Sequence, residues 1–172
     1  MGKFLFRLAR LRIMGTIVGI MFAYFPFLIP VTKIKQNRSA TSFYHPSASY
    51  PDHVLIIPRK IARTVFHLSH DDFLQVIDMA TKIRVGDNRD FVLLINGGDR
   101  QDVMQAHFHL FTDNMASRHQ EKGTVFCLND GLFWEQTVAN LRKLLKQNRA
   151  SEKSFSILIQ FCTGTKPSLF FT

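Results

Sequence analysis

The stretch from Asn96 to Phe111, NGGDRQDVMQAHFHLF, constrains the fold and the chemistry of this chain more than any other. In its second half, polar and apolar residues alternate strictly, which is typical of a strand with one buried face. A Gly-Gly pair precedes it, and glycine lets the backbone turn tightly or approach a ligand closely. We interpret the stretch as a functional site, the alternative being a strand with solvent-facing histidines. The polar side carries Gln105, His107 and His109, and the apolar side carries Ala106, Phe108 and Leu110.

These residues carry a family resemblance. The run QDVMQAHFHLF (101–111) resembles the signature of the histidine triad (HIT) superfamily of nucleotide hydrolases and transferases, a Gln followed by His-x-His-x-His. Upstream, HVLIIPRK (53–60) resembles the second landmark of the family, a histidine that opens an apolar strand ending in proline and basic residues. The resemblance covers about residues 40–113. It departs at the first triad position, which is Gln105 here, as in uridylyltransferase-like and CDP-diacylglycerol-hydrolase-like branches.

The resemblance and the order of elements imply an α+β fold, a HIT-like antiparallel sheet of about five strands with packed helices. One helix is predicted at Ser69–Val85, with Ser69 as N-cap and Asp72 close to capping-box spacing. A second, amphipathic helix is predicted at Leu132–Gln147. The predicted units are an N-terminal basic, membrane and linker segment (1–38), a HIT-like domain (39–113) and a C-terminal extension packed on it (114–172).

The resemblance also implies roles for individual residues. His107 would attack the α-phosphate of a nucleotide derivative and form a covalent nucleotidyl-histidine. His109 and Gln105 would bind phosphate oxygens or assist the leaving group, and His53 would orient the nucleophile. The phosphate-binding candidates are Asn96, Gly97, Gly98 and Gln101, and the nucleoside-binding candidates are Phe43 and Tyr44.

Two departures from the family pattern bear on the substrate. Gln105 cannot exchange a proton as histidine can, which favours activated substrates such as pyrophosphates over phosphoramidates. Asp102 stands where many members have a small hydroxyl residue, and a carboxylate there repels phosphate unless it is protonated, metal-bound or turned away. The scheme requires no metal and no cofactor, and the two cysteines fit no metal spacing.

The charge of the chain is concentrated at its N-terminus. The net charge is +9, and residues 1–38 supply seven of these charges without any acidic residue. The remainder, at +2, lacks the basic footprint of a nucleic-acid binder. The excess is therefore interpreted as the flank of a membrane segment.

Residues 13–31 are uncharged and almost wholly apolar, and as a helix they approach the roughly 30 Å needed to cross a bilayer. We expect a single-pass N-terminal anchor, and a cleavable signal peptide is the alternative. A slight excess of positive charge before the segment places the N-terminus in the cytoplasm and the catalytic domain on the other side. The polar, basic run 33–41 that follows is interpreted as a linker.

Three functions stay open at this point. The first is a membrane-anchored nucleotidyl hydrolase or transferase, for which a lipid-linked nucleotide such as CDP-diacylglycerol is one candidate substrate. The second is a nucleotide-binding or regulatory module without turnover, as Gln105 and Asp102 suggest. The third is a metal-binding protein that uses His107, His109, His53 and Asp102. The expected partners are a nucleotide and a membrane, and the resemblance adds a homodimer.

Overall fold

The computed structural model describes most of the body of the chain and a few residues of its N-terminal segment. The described residues are 17, 20, 21, 24, 25, 32–45, 52–84, 91–98, 100, 101, 103, 105–112, 124–127, 154–161 and 168–171. Val85, Asp102 and the predicted helix Leu132–Gln147 lie outside them.

In the described part of the chain, eight strands form one sheet in the order β1-β2-β3-β5-β4-β7-β8-β6, and every neighbouring pair is antiparallel. The α+β class is confirmed, and the predicted number of about five strands is too low. A short strand is predicted at Val125–Leu128, and the structure has one at Thr124–Cys127. The two strands that were not predicted, Lys33–Gln36 and Ser168–Phe171, have four residues each and so show little alternation. The strands are β1 (Lys33–Gln36), β2 (Ala40–Tyr44), β3 (Val54–Pro58), β4 (Phe91–Gly98), β5 (Phe108–Thr112), β6 (Thr124–Cys127), β7 (Ser154–Phe161) and β8 (Ser168–Phe171).

The segment interpreted as a linker contains an edge strand. β1 pairs with β2, and the turn between them is held by Asn37, whose Oδ1 accepts from the N–H groups of Ser39 and Ala40 at 2.9 and 2.7 Å. Ser42 adds a side-chain clasp, since its Oγ accepts from Lys35 N at 3.1 Å and donates to Lys35 O at 2.9 Å. Charged residues and a register irregularity are common on edge strands, so polar composition did not exclude a strand here.

The helix α1 (His70–Arg84) begins as the sequence predicts. Asp72 N donates to Ser69 Oγ and Ser69 N donates to Asp72 Oδ2, each at 3.2 Å, so the capping box is confirmed. Burial raises the pKa of Asp72, but hydrogen bonds from Ser69 and the ammonium of Lys60 outweigh it and lower the pKa below its ordinary value. A short 3-10 helix (Val65–His67) precedes α1.

The two faces of the sheet differ in what they contact. One face packs against α1 and forms the main core, which takes Phe73, Val76, Met79 and Ala80 from the helix and Val54, Ile56, Leu93, Ile95, Ala106, Phe108 and Leu110 from the sheet and the segment before β5. Strand geometry sends the alternate residues to the opposite face. In the register, Leu55 of β3 and Leu94 of β4 both pair with His109, so His109 lies on the face away from α1.

The C-terminal extension continues the sheet. β7 pairs with all eight residues of β4, from Phe91 to Gly98, and β8 and β6 follow. Phe155 of β7 packs on the backbone of its partner Gly97, where a Cβ would overlap the phenyl ring. A glycine is therefore required at Gly97 by packing between the two strands.

The predicted membrane segment is mostly outside the described residues. Among those that are described, no helix is both long and apolar enough to span a membrane. Of the five described residues of this segment, Met21 is half-buried. The other four, Ile17, Ile20, Tyr24 and Phe25, have exposed fractions of 46, 38, 63 and 45%.

Candidate functional site

His107 lies immediately before β5 and is held by the backbone. Its Nδ1 is 2.8 Å from the carbonyl oxygen of Gln105. A carbonyl oxygen can only accept, so Nδ1 carries the hydrogen and the lone pair of the neutral ring is on Nε2. The hydrogen bond thus selects the tautomer in which Nε2 is nucleophilic.

His53 and His109 form a hydrogen-bonded pair, which we call the imidazole dyad. Nε2 of His53 lies 2.9 Å from Nδ1 of His109, so the two nitrogens share one hydrogen. When His53 donates, Nδ1 of His109 accepts and its Nε2 bears the other hydrogen. The ring of His109 is edge-on to that of His107 with centroids 4.9 Å apart. The structure therefore brings together the three histidines that the sequence predicted.

Two further aromatic rings hold the dyad. His53 lies between Phe111 and His45, and its centroid is 4.3 Å from each of theirs. His45 follows β2, and its backbone N–H donates to the carbonyl oxygen of His53, the residue before β3, at 2.9 Å. The sequence analysis gave no role to His45 or Phe111, although Phe111 belongs to the signature stretch. Their contribution depends on strand pairing, which a local pattern does not reveal.

The dyad is electrically neutral near neutral pH. Burial, reinforced by the imidazoles of His45 and His107, lowers the pKa of His53 from 6.5 to about 3. Burial and the same histidine neighbours also lower the pKa of His109 well below its ordinary value. Among the described residues, no carboxylate contributes to these pKa shifts. The dyad can therefore form hydrogen bonds while it carries no charge.

Gln105 contacts the backbone of the loop that follows β3. Its Nε2 donates to Lys60 O at 2.9 Å and to Pro58 O at 3.4 Å, and its Oε1 accepts from Ala62 N at 3.3 Å. The side chain is only 1% exposed. The sequence predicted a contact with phosphate, whereas the structure uses both amide N–H groups inside the protein. Gln105 therefore holds this loop against the segment whose carbonyl orients His107.

The structure gives the other predicted phosphate ligands two different surroundings. Gln101 Nε2 donates to the carbonyls of Arg63 and Val103 at 2.7 and 2.6 Å, so its amide braces the same loop. Gly97 and Gly98 are the last residues of β4, and Gly98 has a φ of 62° that opens the following turn. A direct phosphate contact from these three residues stays a prediction.

Asn96 shares the face of the histidines. It lies two residues beyond Leu94, and His107 lies two residues before His109, the partner of Leu94 in the antiparallel register. Asn96 Oδ1 accepts from Ser156 Oγ at 2.8 Å, and Ser156 Oγ accepts from Arg100 Nη1 at 3.1 Å. We call Asn96, Ser156 and Arg100 the arginine network. Ser156 and Arg100 were not predicted from the sequence, because β7 reaches this place only through long-range strand pairing.

The two candidates for nucleoside binding lie on opposite faces. Phe43 pairs with Leu55, which pairs with His109, so Phe43 belongs to the histidine face and is fully buried. Tyr44 pairs with Val54 on the face of α1 and is 51% exposed. Adjacent residues of a strand cannot both face one ligand. Of the two, Phe43 is the one on the side of the site.

The described part of the chain contains no side-chain cluster of the kind that the metal-binding hypothesis requires. No group of three or more His, Cys, Asp or Glu side chains is placed there to hold a metal ion, and Asp102 is not described.

Comparisons with known proteins agree with this architecture. The family model of the HIT domain matches residues 28–116, more than half of the chain. None of the curated proteins is a significant match to the sequence. Among solved structures, the chain is similar to the yeast Ap4A phosphorylase Apa2 in complex with AMP, with 12% identity, a TM-score of 0.53, and 79% of this chain and 57% of that chain covered.

Two further structures are similar. A DUF4931 family protein from Bacillus cereus has 10% identity and a TM-score of 0.53, with 81% of this chain and 84% of that chain covered. A histidine triad protein from Clostridium difficile has 22% identity and a TM-score of 0.48, with 59% and 92% covered. At such identities a TM-score above 0.5 shows the fold.

The first prediction concerns Gln105. In Gln105→Glu, a carboxylate oxygen replaces the amide nitrogen that faces the carbonyls of Lys60 and Pro58. We expect the free energy of unfolding to fall by about 1–3 kcal/mol, because a buried polar group loses its partners. Urea denaturation measures this. Gln75→Glu, on an exposed position of α1, is the matched control, and equal effects of the two changes would contradict the role of Gln105.

The second prediction concerns the pH dependence of stability. The unfolded chain protonates its histidines below about pH 6.5, whereas burial keeps the pKa of His53 at about 3 in the folded chain. The unfolded state then binds more protons as the pH falls from 6.5 toward 3, so the contribution of His53 to stability is complete above this window and is lost within it.

We therefore expect the free energy of unfolding to decrease between pH 7 and 5, by up to about 1.4 kcal/mol per pH unit for each buried histidine. Urea denaturation at several pH values gives the slope. His53→Gln should reduce the slope over this interval. An unchanged slope in the variant would contradict the prediction, because it would show that His53 binds its proton in the folded protein over the same pH range as in the unfolded chain.

Proposed function

The chain belongs to the HIT family, and from this premise we propose that it is a nucleotidyl hydrolase or transferase acting on the α-phosphate of a nucleotide derivative. The observation that carries the proposal is the 2.8 Å contact between His107 Nδ1 and the carbonyl oxygen of Gln105. It gives the residue at the middle triad position the one tautomer that can attack phosphorus. The likeness in fold to a yeast Ap4A phosphorylase, solved with AMP and with Ap4A, makes adenine nucleotides the first compounds to test.

In the proposed reaction, the lone pair on His107 Nε2 forms a bond to the α-phosphorus while the bond to the leaving oxygen breaks. Nδ1 keeps its hydrogen and its hydrogen bond to the Gln105 carbonyl oxygen, and this bond stabilises the positive charge that develops on the ring. Water or another acceptor then attacks the nucleotidyl-histidine, and the electron pair of the P–N bond returns to Nε2. The acceptor decides between hydrolase and transferase.

His109 supports this reaction as a hydrogen-bond donor. A bound phosphate oxygen is an acceptor, so it selects the arrangement of the imidazole dyad in which His53 donates to Nδ1 and Nε2 of His109 carries a hydrogen. Asn96 Oδ1 accepts from Ser156, and we expect the amide nitrogen of Asn96 to donate to the same phosphate group. Such donors stabilise charge that develops in the transition state.

The proposal is tested by covalent labelling of the full-length protein. We expect α-³²P-labelled nucleotide pyrophosphates, or labelled CDP-diacylglycerol, to produce an acid-labile labelled band and released mononucleotide. His107→Ala should abolish the band and lower turnover by on the order of a thousandfold or more, because the nucleophile is gone. His67→Ala, in the 3-10 helix outside the cluster, is the control and should retain both.

Other results would change the assignment. Binding of nucleotide without label or turnover would make the chain a binding module. Label or turnover that persists in His107→Ala would place the nucleophile elsewhere. Neither binding nor turnover with any of the nucleotides would reject the proposed function.

We also propose that residues 13–31 anchor the protein and that the catalytic domain lies on the non-cytoplasmic side. The exposed apolar side chains of Ile17, Ile20, Tyr24 and Phe25 support membrane contact. We expect the full chain to remain in the membrane pellet after alkaline carbonate and to enter solution with detergent. Replacing Ile17 and Ile20 by lysine should release it, because charged side chains are costly in the bilayer.

Protease protection of intact vesicles reports the side on which the domain lies, and N-terminal sequencing reports cleavage. A mature protein that begins after residue 31 would show a signal peptide instead of an anchor. Release by carbonate of a chain that still begins at residue 1 would contradict both the anchor and the signal peptide.

A further inference from the structure

Asp52 and Arg84 meet immediately before a histidine of the imidazole dyad, and the reaction above uses neither of them. Nη2 of Arg84 donates to the backbone carbonyl oxygen of Asp52 at 2.6 Å. This carbonyl belongs to the peptide group whose nitrogen is the backbone nitrogen of His53. The last residue of α1 therefore holds the peptide group that leads into the dyad.

The backbone at Asp52 has a conformation that residues with a side chain rarely adopt. Its φ is 66°, and among the residues that the structure describes it is the one residue other than glycine with a positive φ. The left-handed conformation brings Cβ close to the following carbonyl oxygen, which disfavours it by roughly 5- to 30-fold. The side chain of Asp52 is exposed, so its packing does not impose this conformation. A hydrogen bond from a charged donor is strong enough to offset such a cost.

Arg84 is placed to hold the carbonyl of Asp52 firmly. The residue is 5% exposed, and a buried guanidinium that loses a partner is left with a charge that water does not solvate. As the last residue of α1, Arg84 also lies where the helix dipole favours a cation. Val76 and Met79 of the same helix belong to the main core. The position of Arg84 relative to the sheet is therefore set by the packing of α1.

His53 depends on this bond because the pairing of β3 begins only after it, at Val54. Stacking on His45 and Phe111 fixes the plane of the His53 ring, but flat rings can slide over each other within that plane. The backbone N–H of His45 holds the peptide group after His53, and Arg84 holds the one before it. Together these two bonds fix the direction in which the His53 ring leaves the backbone.

We propose that Arg84 is a positioning residue of the site, whose bond to Asp52 O keeps His53 in hydrogen-bonding position to His109. The catalytic consequence rests on the proposed function. In that reaction Nε2 of His109 donates to the phosphate while its Nδ1 accepts from His53, so a displaced His53 leaves the tautomer of His109 unselected. In this role Arg84 acts through the dyad and not on the substrate.

The dyad can be observed directly by NMR of the full-length protein labelled with ¹⁵N at its histidines. Spectra of the ring nitrogens contain the N–H that His53 shares with His109. They also contain the Nδ1–H of His107, which the carbonyl of Gln105 holds and which serves as an internal reference. His109→Gln and His107→Gln assign the two signals. We expect Arg84→Met to lose the dyad signal and to retain the signal of His107.

A second substitution separates the bond to Asp52 from every other effect of Arg84. Glycine adopts a φ near 66° without steric cost. Asp52→Gly should therefore restore the dyad signal in the Arg84→Met background. Arg84→Lys should retain part of the signal, because a charged donor remains. Val76→Ala, which shortens a buried side chain of the same helix, is the control and should keep the whole signal.

Turnover per molecule that can be labelled at His107 gives the second readout. We expect Arg84→Met to lower kcat by about 5- to 30-fold, the cost of a left-handed residue that has lost its partner. KM should change by less than about twofold, because the donor from His109 acts mainly on charge that develops in the transition state. Asp52→Gly in the same background should recover most of kcat. A loss of stability alone, as in Val76→Ala, should leave kcat per labelled molecule unchanged.

Asp52 provides a comparison that does not depend on whether Arg84→Met folds. Its side chain is exposed, so neither Asp52→Ala nor Asp52→Gly disturbs the core. Alanine tolerates the left-handed conformation less well than aspartate, and glycine tolerates it best. We expect Asp52→Ala to weaken the dyad signal and Asp52→Gly to retain it. Equal signals in these two variants would overturn the inference.

Two other results would also overturn it. A dyad signal that persists in Arg84→Met would show that His53 is held without the arginine. A loss that Asp52→Gly does not restore would show that Arg84 acts through another contact. Both results leave nucleotidyl transfer to His107 intact. Failure of every nucleotide to label His107 in the unmodified protein would instead reject the proposed function, and the NMR comparison would still decide the role of Arg84 in the dyad.

Discussion

The alternation of β5 and the segment before it is the constraint on which the rest of the site depends. Phe108 and Leu110 are fully buried under α1, and burial of such side chains stabilises the fold by roughly 1.5–3 kcal/mol each. A shift of one residue in register would expose both and place His107 and His109 in the core. The packing of Phe108 and Leu110 therefore fixes the face on which His107 and His109 lie, and the hydrogen bonds of the histidines then fix the orientation of their rings.

Among the described residues, the groups that orient the histidines are neutral side chains and backbone carbonyls. His107 is oriented by a peptide oxygen, and His109 by another imidazole, where many enzymes place a carboxylate next to a catalytic histidine. A carboxylate would orient the ring equally well, but its negative charge would oppose an incoming phosphate. Orientation by uncharged acceptors keeps the electrostatic potential around these histidines compatible with an anionic ligand.

Features encoded by neighbouring residues could be predicted from the sequence. The alternation around His107 and the capping box at Ser69 and Asp72 are local features, and the structure confirms both. Membership of the HIT family, predicted from a signature of a few residues, is confirmed as well. The partners of Gln105 and the place of Ser156 depend on pairs of segments far apart in the chain. Composition misled at Lys33–Gln36, because an edge strand needs hydrogen bonds to one neighbour only and tolerates polar side chains on both faces.

The pairing of β4 with β7 has a consequence for how the chain folds. The two strands pair residues far apart in sequence, such as Asn96 and Ser156, which are 60 positions apart. Contacts of that range form late because closing the loop costs entropy. During synthesis β4 emerges well before its partner, and until β7 arrives it presents unpaired N–H and C=O groups and the apolar side chains Val92 and Leu94. The strand that carries Asn96 is thus exposed to aggregation in the nascent chain until its partner strand has been made.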